Sequence, residues 1–211
     1  FWLLQKQPWR EQEWLLELFS REQGRLWVSS RSGADQLILY QGDWSEGRDW
    51  PKLPLLQSHW FRDWSDTQPA CGCYLTELLA QLLPSGEALP ELFDVYSQAL
   101  THLADGSHPS PWLRLFEQRL LHVLGYGFSW TEDVHGWPIE ADNYYLFAAP
   151  DGWQKASIRH TDAIAGSWLI EFASGSHRPE LWQMARKALQ AALQHYLQRP
   201  LISSNLRAVF S

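Results

Sequence analysis

Three sets of residues in this sequence are of types that could do chemistry. Cys71-Gly72-Cys73 is a thiol pair of the sort that opens a zinc site. Zinc takes four ligands, commonly as two pairs, and no second cysteine or close histidine pair completes the set. Two small buried thiols near a helix start are therefore expected, and no metal or other cofactor. A second set is Glu132, Asp133, His135, Glu140 and Asp142, with His160 and Asp162 further on. Carboxylates with imidazole suit divalent-metal hydrolysis, but this spacing matches no metal pattern. A hydrolase is thus the weakest of the function classes, and no catalytic residue is assigned. The third set is Trp9, Arg10, Arg25, Trp27 and Arg31. Aromatic and cationic side chains together hold single strands by stacking bases in a basic groove. Periodicity alone supports equally well a sheet whose indoles point inward and whose arginines only hydrate the surface. No glycine-rich phosphate loop follows a strand, and no Gly-x-Ser-x-Gly elbow is present, so nucleotide hydrolysis and that hydrolase class lack support.

The elements that would position these residues change character along the chain. Residues 1–59 hold five apolar or alternating runs, FWLLQKQPW, EWLLELFSR, RLWVSSRS, QLILYQGDW and KLPLLQSHW, separated by turn-forming Gln-Gly, Ser-Gly and Glu-Gly steps. EWLLELF would also suit a helix; its neighbours favour a strand. Five strands in such a span are the count of a small Greek-key barrel, of which the OB-fold is the commonest example. From about Cys71 the period becomes helical. YLTELLAQLL stops at Pro84, PELFDVYSQALTHLA opens with Pro90, and Pro111 starts WLRLFEQRLLHVLGYG, whose expected inward face is Trp112, Leu115, Phe116, Leu120, Val123 and Leu124. Tyr144–Phe147, then Pro150-Asp151-Gly152 and Trp153, read as a strand, a tight turn and a return strand. A last helix begins at Pro179, with Leu181, Ala185, Ala188, Ala192 and Tyr196 on one face and Lys187 among glutamines on the other. The expected class is α+β: a five-stranded OB-fold barrel over 1–60, fused to a helical domain over 61–211 with a small irregular or β insert at about 126–175.

Composition narrows the function classes. The 211 residues are 45% apolar and 19% charged with a net charge of −7, enough chain for one large domain or two small ones. No apolar run approaches the ~20 residues of a membrane-spanning helix, so a soluble chain is expected. Two cysteines exclude a disulfide-stapled secreted scaffold. Met184 is the only methionine and the first residue is Phe1, so further N-terminal residues are expected. Charge is uneven: residues 60–110 carry one Lys/Arg against seven Asp/Glu, whereas residues 176–211 carry five against one. An acidic total argues against binding nucleic acid by charge alone, yet local basic patches can still follow phosphates.

Read together, several stretches resemble the RecO family of bacterial recombination mediators. The opening FWLLQKQPWREQEWLLELFSREQGRLWV is similar to the family's start. Tyr74-Leu75-Thr76-Glu77-Leu78-Leu79 resembles its Tyr-x-x-Glu-Leu-Leu, Pro90-Glu91-Leu92-Phe93 with Ala99-Leu100 its next helix, and Leu113-Arg114-x-Phe116-Glu117 with Leu120-Leu121 and Leu124-Gly125-Tyr126 the one after. Arg199-Pro200-Leu201 and Ser203 are similar to its C-terminal Pro-Leu-x-Ser. The resemblance implies a cytoplasmic, nucleoid-associated protein without catalytic turnover. Such a protein binds and anneals single- and double-stranded DNA, engages the acidic tail of the single-strand-binding protein SSB, and with RecR helps load RecA. DNA contacts are expected from Arg10, Arg25, Trp27 and Arg31, assisted by Lys187, Arg199 and Arg207. By the resemblance, the SSB tail would sit at Arg114 with Leu79, Leu113 and Phe116, since an arginine can pair a terminal carboxylate beside an apolar wall. The departures are that Ser29–Ala34 keeps one clear positive residue where the family has a basic loop, that Ile202-Ser203-Ser204 replaces a basic C-terminal motif, and that residues 126–160 lack zinc cysteines. An adaptor that docks on the SSB tail and binds little DNA is therefore the rival expectation.

Overall fold

The computed structural model describes residues 1–60, 64, 68–158, 160–176 and 178–203. The chain is α+β and divides into two compact units, one of residues 1–116 with the segment from Gln198 on, the other of residues 117–197. In the first unit, β1 (Trp2–Trp9), β2 (Glu13–Ser20), β3 (Gly24–Ser30), β4 (Leu39–Gln41) and β5 (Gln57–Trp60) form one sheet in the order β3-β2-β1-β4-β5. All adjacent pairs are antiparallel. Four strands lie within their apolar runs, β3 starts one residue ahead of its run at Gly24, and EWLLELF is strand.

The register explains why that segment is not a helix. Leu16 and Leu18 join Leu3, Val28, Tyr40 and Leu53 in one buried cluster. Phe19, on the opposite face, meets Phe93 at 5.4 Å between ring centroids. A strand buried on both sides needs apolar residues on both faces of its period-two pleat, so its sequence loses the usual alternation. Burying each such side chain contributes about 2–3 kcal/mol.

The barrel expected from five strands is not a closed ladder here: in the described sheet β3 and β5 are edges, each with one strand neighbour. A short link does reach β3 from the chain ahead of β5. The Ser29 amide donates to the Pro51 carbonyl at 2.8 Å, and the Leu53 amide to the Ser29 carbonyl at 2.9 Å, a parallel bridge.

Helices α1 (Gln68–Leu82) and α2 (Pro90–Ala104) belong to the same unit. The Trp2 indole donates to Ser97 Oγ at 2.9 Å, and its ring meets Tyr96 edge-on at 5.6 Å. Tyr96 is fully buried, with its hydroxyl 2.7 Å from that of Thr76 on α1. The unit boundary falls within α3 (Pro109–Val123). Its buried face is Leu113, Arg114, Phe116, Glu117, Leu120 and Leu121, whereas Leu115, expected inside, is 45% exposed. Apolar content alone misplaces this face because two charged residues sit on it.

The second unit holds the three-stranded sheet β7-β6-β8, made of β6 (Tyr144–Ala148), β7 (Gly152–Ala156) and β8 (Ile164–Ala165), with α4 (Gly166–Ala173) and α5 (Pro179–Tyr196). The strand, turn and return strand around Pro150–Gly152 are as expected, and α5 starts at its expected proline. Helix α4 and β8 were not foreseen. Trp130, Trp153, Phe147 and Phe172 interlock at centroid distances of 4.5–5.5 Å, so several tryptophans of this chain are core residues.

Candidate nucleic-acid interface

Pairing across β1–β3 places Gln5, Glu17 and Trp27 side by side on one face, with Arg25 diagonal to Glu17 on that same face. Arg25 Nε donates to Glu17 Oε1 at 2.5 Å, and its terminal nitrogen donates to the Leu83 carbonyl at 2.6 Å. Glu17 has no exposed surface, and Gln5 donates to its other oxygen at 2.7 Å. The Arg25 charge is thus committed to an internal carboxylate, and Trp27 beside the pair is half-buried.

Arg10 and Arg31 lie at the opposite end of the sheet from Arg25. Arg10 follows β1 in the β1–β2 turn, and Arg31 follows β3, whose last residue Ser30 pairs with Trp14 at the start of β2. Both arginines are exposed. Arg10 adopts φ +57° and reaches Asp49 at 2.5 Å, with its guanidinium 5.9 Å from the centre of the Trp9 ring. Arg31 has no ion-pair partner among the described residues. Lys6 stands 5.5 Å over the Trp14 ring and pairs with Asp35 at 2.9 Å. The sequence reading missed Lys6, Asp35 and Asp49. The hairpin register, which sets Lys6 opposite Leu16 and diagonal to Trp14, was the signal available for Lys6.

The remaining expected DNA contacts do not join this end. Lys187 is exposed on α5 in the second unit, and Arg199 is exposed near Glu77 in the first; Arg207 lies outside the described residues. Glu77 Oε1 accepts from the Ile202 amide at 2.7 Å, and its Oε2 from the Ser203 amide and hydroxyl at 3.0 and 2.6 Å. Burial pushes the Glu77 carboxyl up, but these hydrogen bonds and nearby Arg199 outweigh it and hold it below the usual carboxylate range.

The residues expected to take an SSB tail are internal: Leu79 and Phe116 have no exposed surface, and Leu113 and Arg114 are each 2% exposed. The thiols behave as packing groups. Burial pushes Cys71 up to about 11 against the pull of Arg114, and it pushes Cys73 up as well, so both stay protonated at neutral pH. The acidic insert shapes turns. One Asp133 oxygen accepts the amides of His135 and Trp137, both at 2.9 Å, and Glu140 binds Asn143 and Lys155. Among the described residues no three His, Cys, Asp or Glu side chains gather closely enough to hold a metal ion, and no helix is long and apolar enough to cross a membrane.

Comparison with known proteins completes the picture. The family model "Recombination protein O C terminal" matches residues 68–205. "DNA repair protein RecO" of Azoarcus sp. is 31% identical over 93% of this chain and 88% of its own length. The protein of that name from Alkalilimnicola ehrlichii is 32% identical over 97% and 88%, and that of Pseudomonas putida W619 is 38% identical over 64% and 60%. These likenesses place an α+β chain with a cationic, aromatic sheet end in the class of DNA repair and recombination proteins. The chain belongs to the RecO family.

Proposed function

We propose that this chain is a recombination mediator that binds single- and double-stranded DNA at the Arg10–Arg31 end of its sheet. In this reading it anneals complementary strands, engages SSB and RecR, and helps load RecA. The observation that carries the DNA-binding part is that exposed Arg31, Arg10 beside Trp9 and Lys6 over Trp14 all stand toward the β1–β2 turn end of the sheet, with the two half-buried indoles on opposite faces of the β1–β2 pair. Cations over aromatic rings supply the phosphate contact and the stacking surface that an unpaired strand requires. The parallel bridge of residues 51–53 to Ser29 supports a sheet that curls toward a barrel of the OB type, with this end at its mouth. The ion pairs of Lys6 and Arg10 are exposed, so each contributes little to stability and yields readily to a phosphate.

The adaptor reading is favoured by a different observation: Lys6, Arg10, Arg21 and Arg25 each already face a carboxylate. Its SSB-tail element rests on the resemblance of α3 to the family's tail-binding helix. It requires α3 to shift, because Arg114, Leu79, Leu113 and Phe116 are covered. A salt titration with a single-stranded oligonucleotide, run beside a titration with an SSB tail peptide, separates the two. The mediator reading expects DNA affinity that falls steeply with salt. Tail-peptide binding with negligible DNA binding at any salt overturns it. Arg114→Glu is expected to abolish tail-peptide binding, and unchanged peptide affinity would reject Arg114 as its anchor.

A further inference from the structure

We propose that the second unit carries a pocket for one unpaired nucleobase with its phosphate, on β6, β7, residues 160–162, β8 and α5. The proposal rests on the DNA-binding reading and adds a site remote in sequence from the sheet end.

A cleft of about 500 Å³ lies wholly within this unit, a volume suited to a small ligand. Its walls include half-buried Phe147, Met184 at 4% exposure and Trp153 at 1%. Phe147 offers the flat apolar surface on which a base stacks, while Trp153, packed against it at 5.2 Å between ring centroids, and Met184 are almost fully covered. The Trp153 indole N–H has no hydrogen-bond acceptor among the described residues. An unmet buried donor is rare in a native protein and calls for an explanation; a base carbonyl reaching it through a small shift of the ring supplies one. At the rim, Lys187 is exposed and has no carboxylate partner among the described residues, so its charge is available to a phosphate. His160 Nδ1 accepts from the Asp162 amide at 3.2 Å, which leaves Nε2 as a proton-bearing donor, and the Asp162 carboxylate beside it is an acceptor.

The set therefore offers one stacking surface, donors, one acceptor and one phosphate-binding cation. A purely apolar ligand would leave the rim unused and the indole unmet.

The test uses the full chain with labelled oligothymidylate, thymidine 5′-monophosphate as competitor, and a 5-iodouracil oligonucleotide for photocrosslinking. Ala191 lines the cleft and is half-buried. Ala191→Phe should fill the cleft and lower oligonucleotide affinity at least about fivefold, as expected for the loss of one stacked base, while Ala191→Ser keeps it. Lys187→Gln should lower the salt slope by about 0.7. Crosslinks should map to peptides carrying Phe147, Trp153 or Met184. Competition by the mononucleotide identifies a pocket for free nucleotide, and its absence identifies a pocket that reads a base within a strand; both support the proposal. Wild-type binding by Ala191→Phe and Lys187→Gln, or crosslinks confined to the sheet, overturns it. If Arg31→Gln alone weakens binding, the pocket falls and the sheet end stands. The reverse pattern sinks the sheet end alone, and no DNA binding by the chain sinks both.

Discussion

Glu17 sits with no exposed surface between Gln5 and Arg25, and that single carboxylate decides what Arg25 can do. Removing one partner of a buried pair leaves the other charge poorly solvated, which costs about 3 kcal/mol. Glu17→Ala should accordingly lower the urea midpoint at an unchanged m-value; a midpoint at the wild-type position would show the pair to be idle. Arg25→Gln should destabilise the fold yet leave the salt slope of DNA binding alone. Arg31→Gln should do the opposite, keeping the fold and lowering the slope by about 0.7. Residue types alone ranked the two arginines together. What separates them is the β2–β3 register, which brings Glu17 onto the face of Arg25. The same limit applies to Arg114: its helical stretch was recognisable, but its burial at 2% depends on which face α3 turns inward.

At the scale of elements, the short segment Leu201–Ser203 is held to α1 through Glu77. The Glu77 carboxyl ionises more readily in the folded chain than a free glutamate does. Its contribution is therefore complete above the unfolded value, roughly pH 4.3, and is lost as pH falls through the lower folded value. The protection factors of the Ile202 and Ser203 amides, measured against the intrinsic exchange rate at each pH, should fall on acidification below that point, and Glu77→Gln should show reduced protection already at neutral pH. Protection independent of both would contradict the latch. Gly24 is a second control point. It adopts φ +67° at the start of β3, and a Cβ there would lie 1.7 Å from the Glu87 carbonyl oxygen. Gly24→Ala should cost more than the ~1 kcal/mol of a left-handed residue, because the backbone of the α1–α2 connection must also move; a thermal midpoint equal to wild type would refute this. Proline-led helices such as α2 and α5 were legible because Pro90 and Pro179 mark their first turns. Helix α4 was not: Ala165 at its N-cap offers no side-chain bond, its first turn carries no acidic residue and its last turn no basic one.

For the whole molecule, a net charge of −7 means that any polynucleotide must be held locally, against the field of the rest of the chain. The five strand positions and the α+β class were readable from apolar runs, and the family from the order of motifs along the chain. Sheet closure was not readable, since edge pairing between residues far apart in sequence leaves no local pattern. Nor was the cleft beside Lys187, which gathers residues from three strands, a loop and a helix. The most direct measurement of the central claim is the salt dependence of oligothymidylate affinity for the full chain and for an Arg10→Gln, Arg31→Gln double variant. A linear fall of log affinity with log salt is predicted for the wild type, with a slope shallower by about 1.4 in the variant. Identical slopes in the two proteins, or wild-type binding insensitive to salt, would contradict the account.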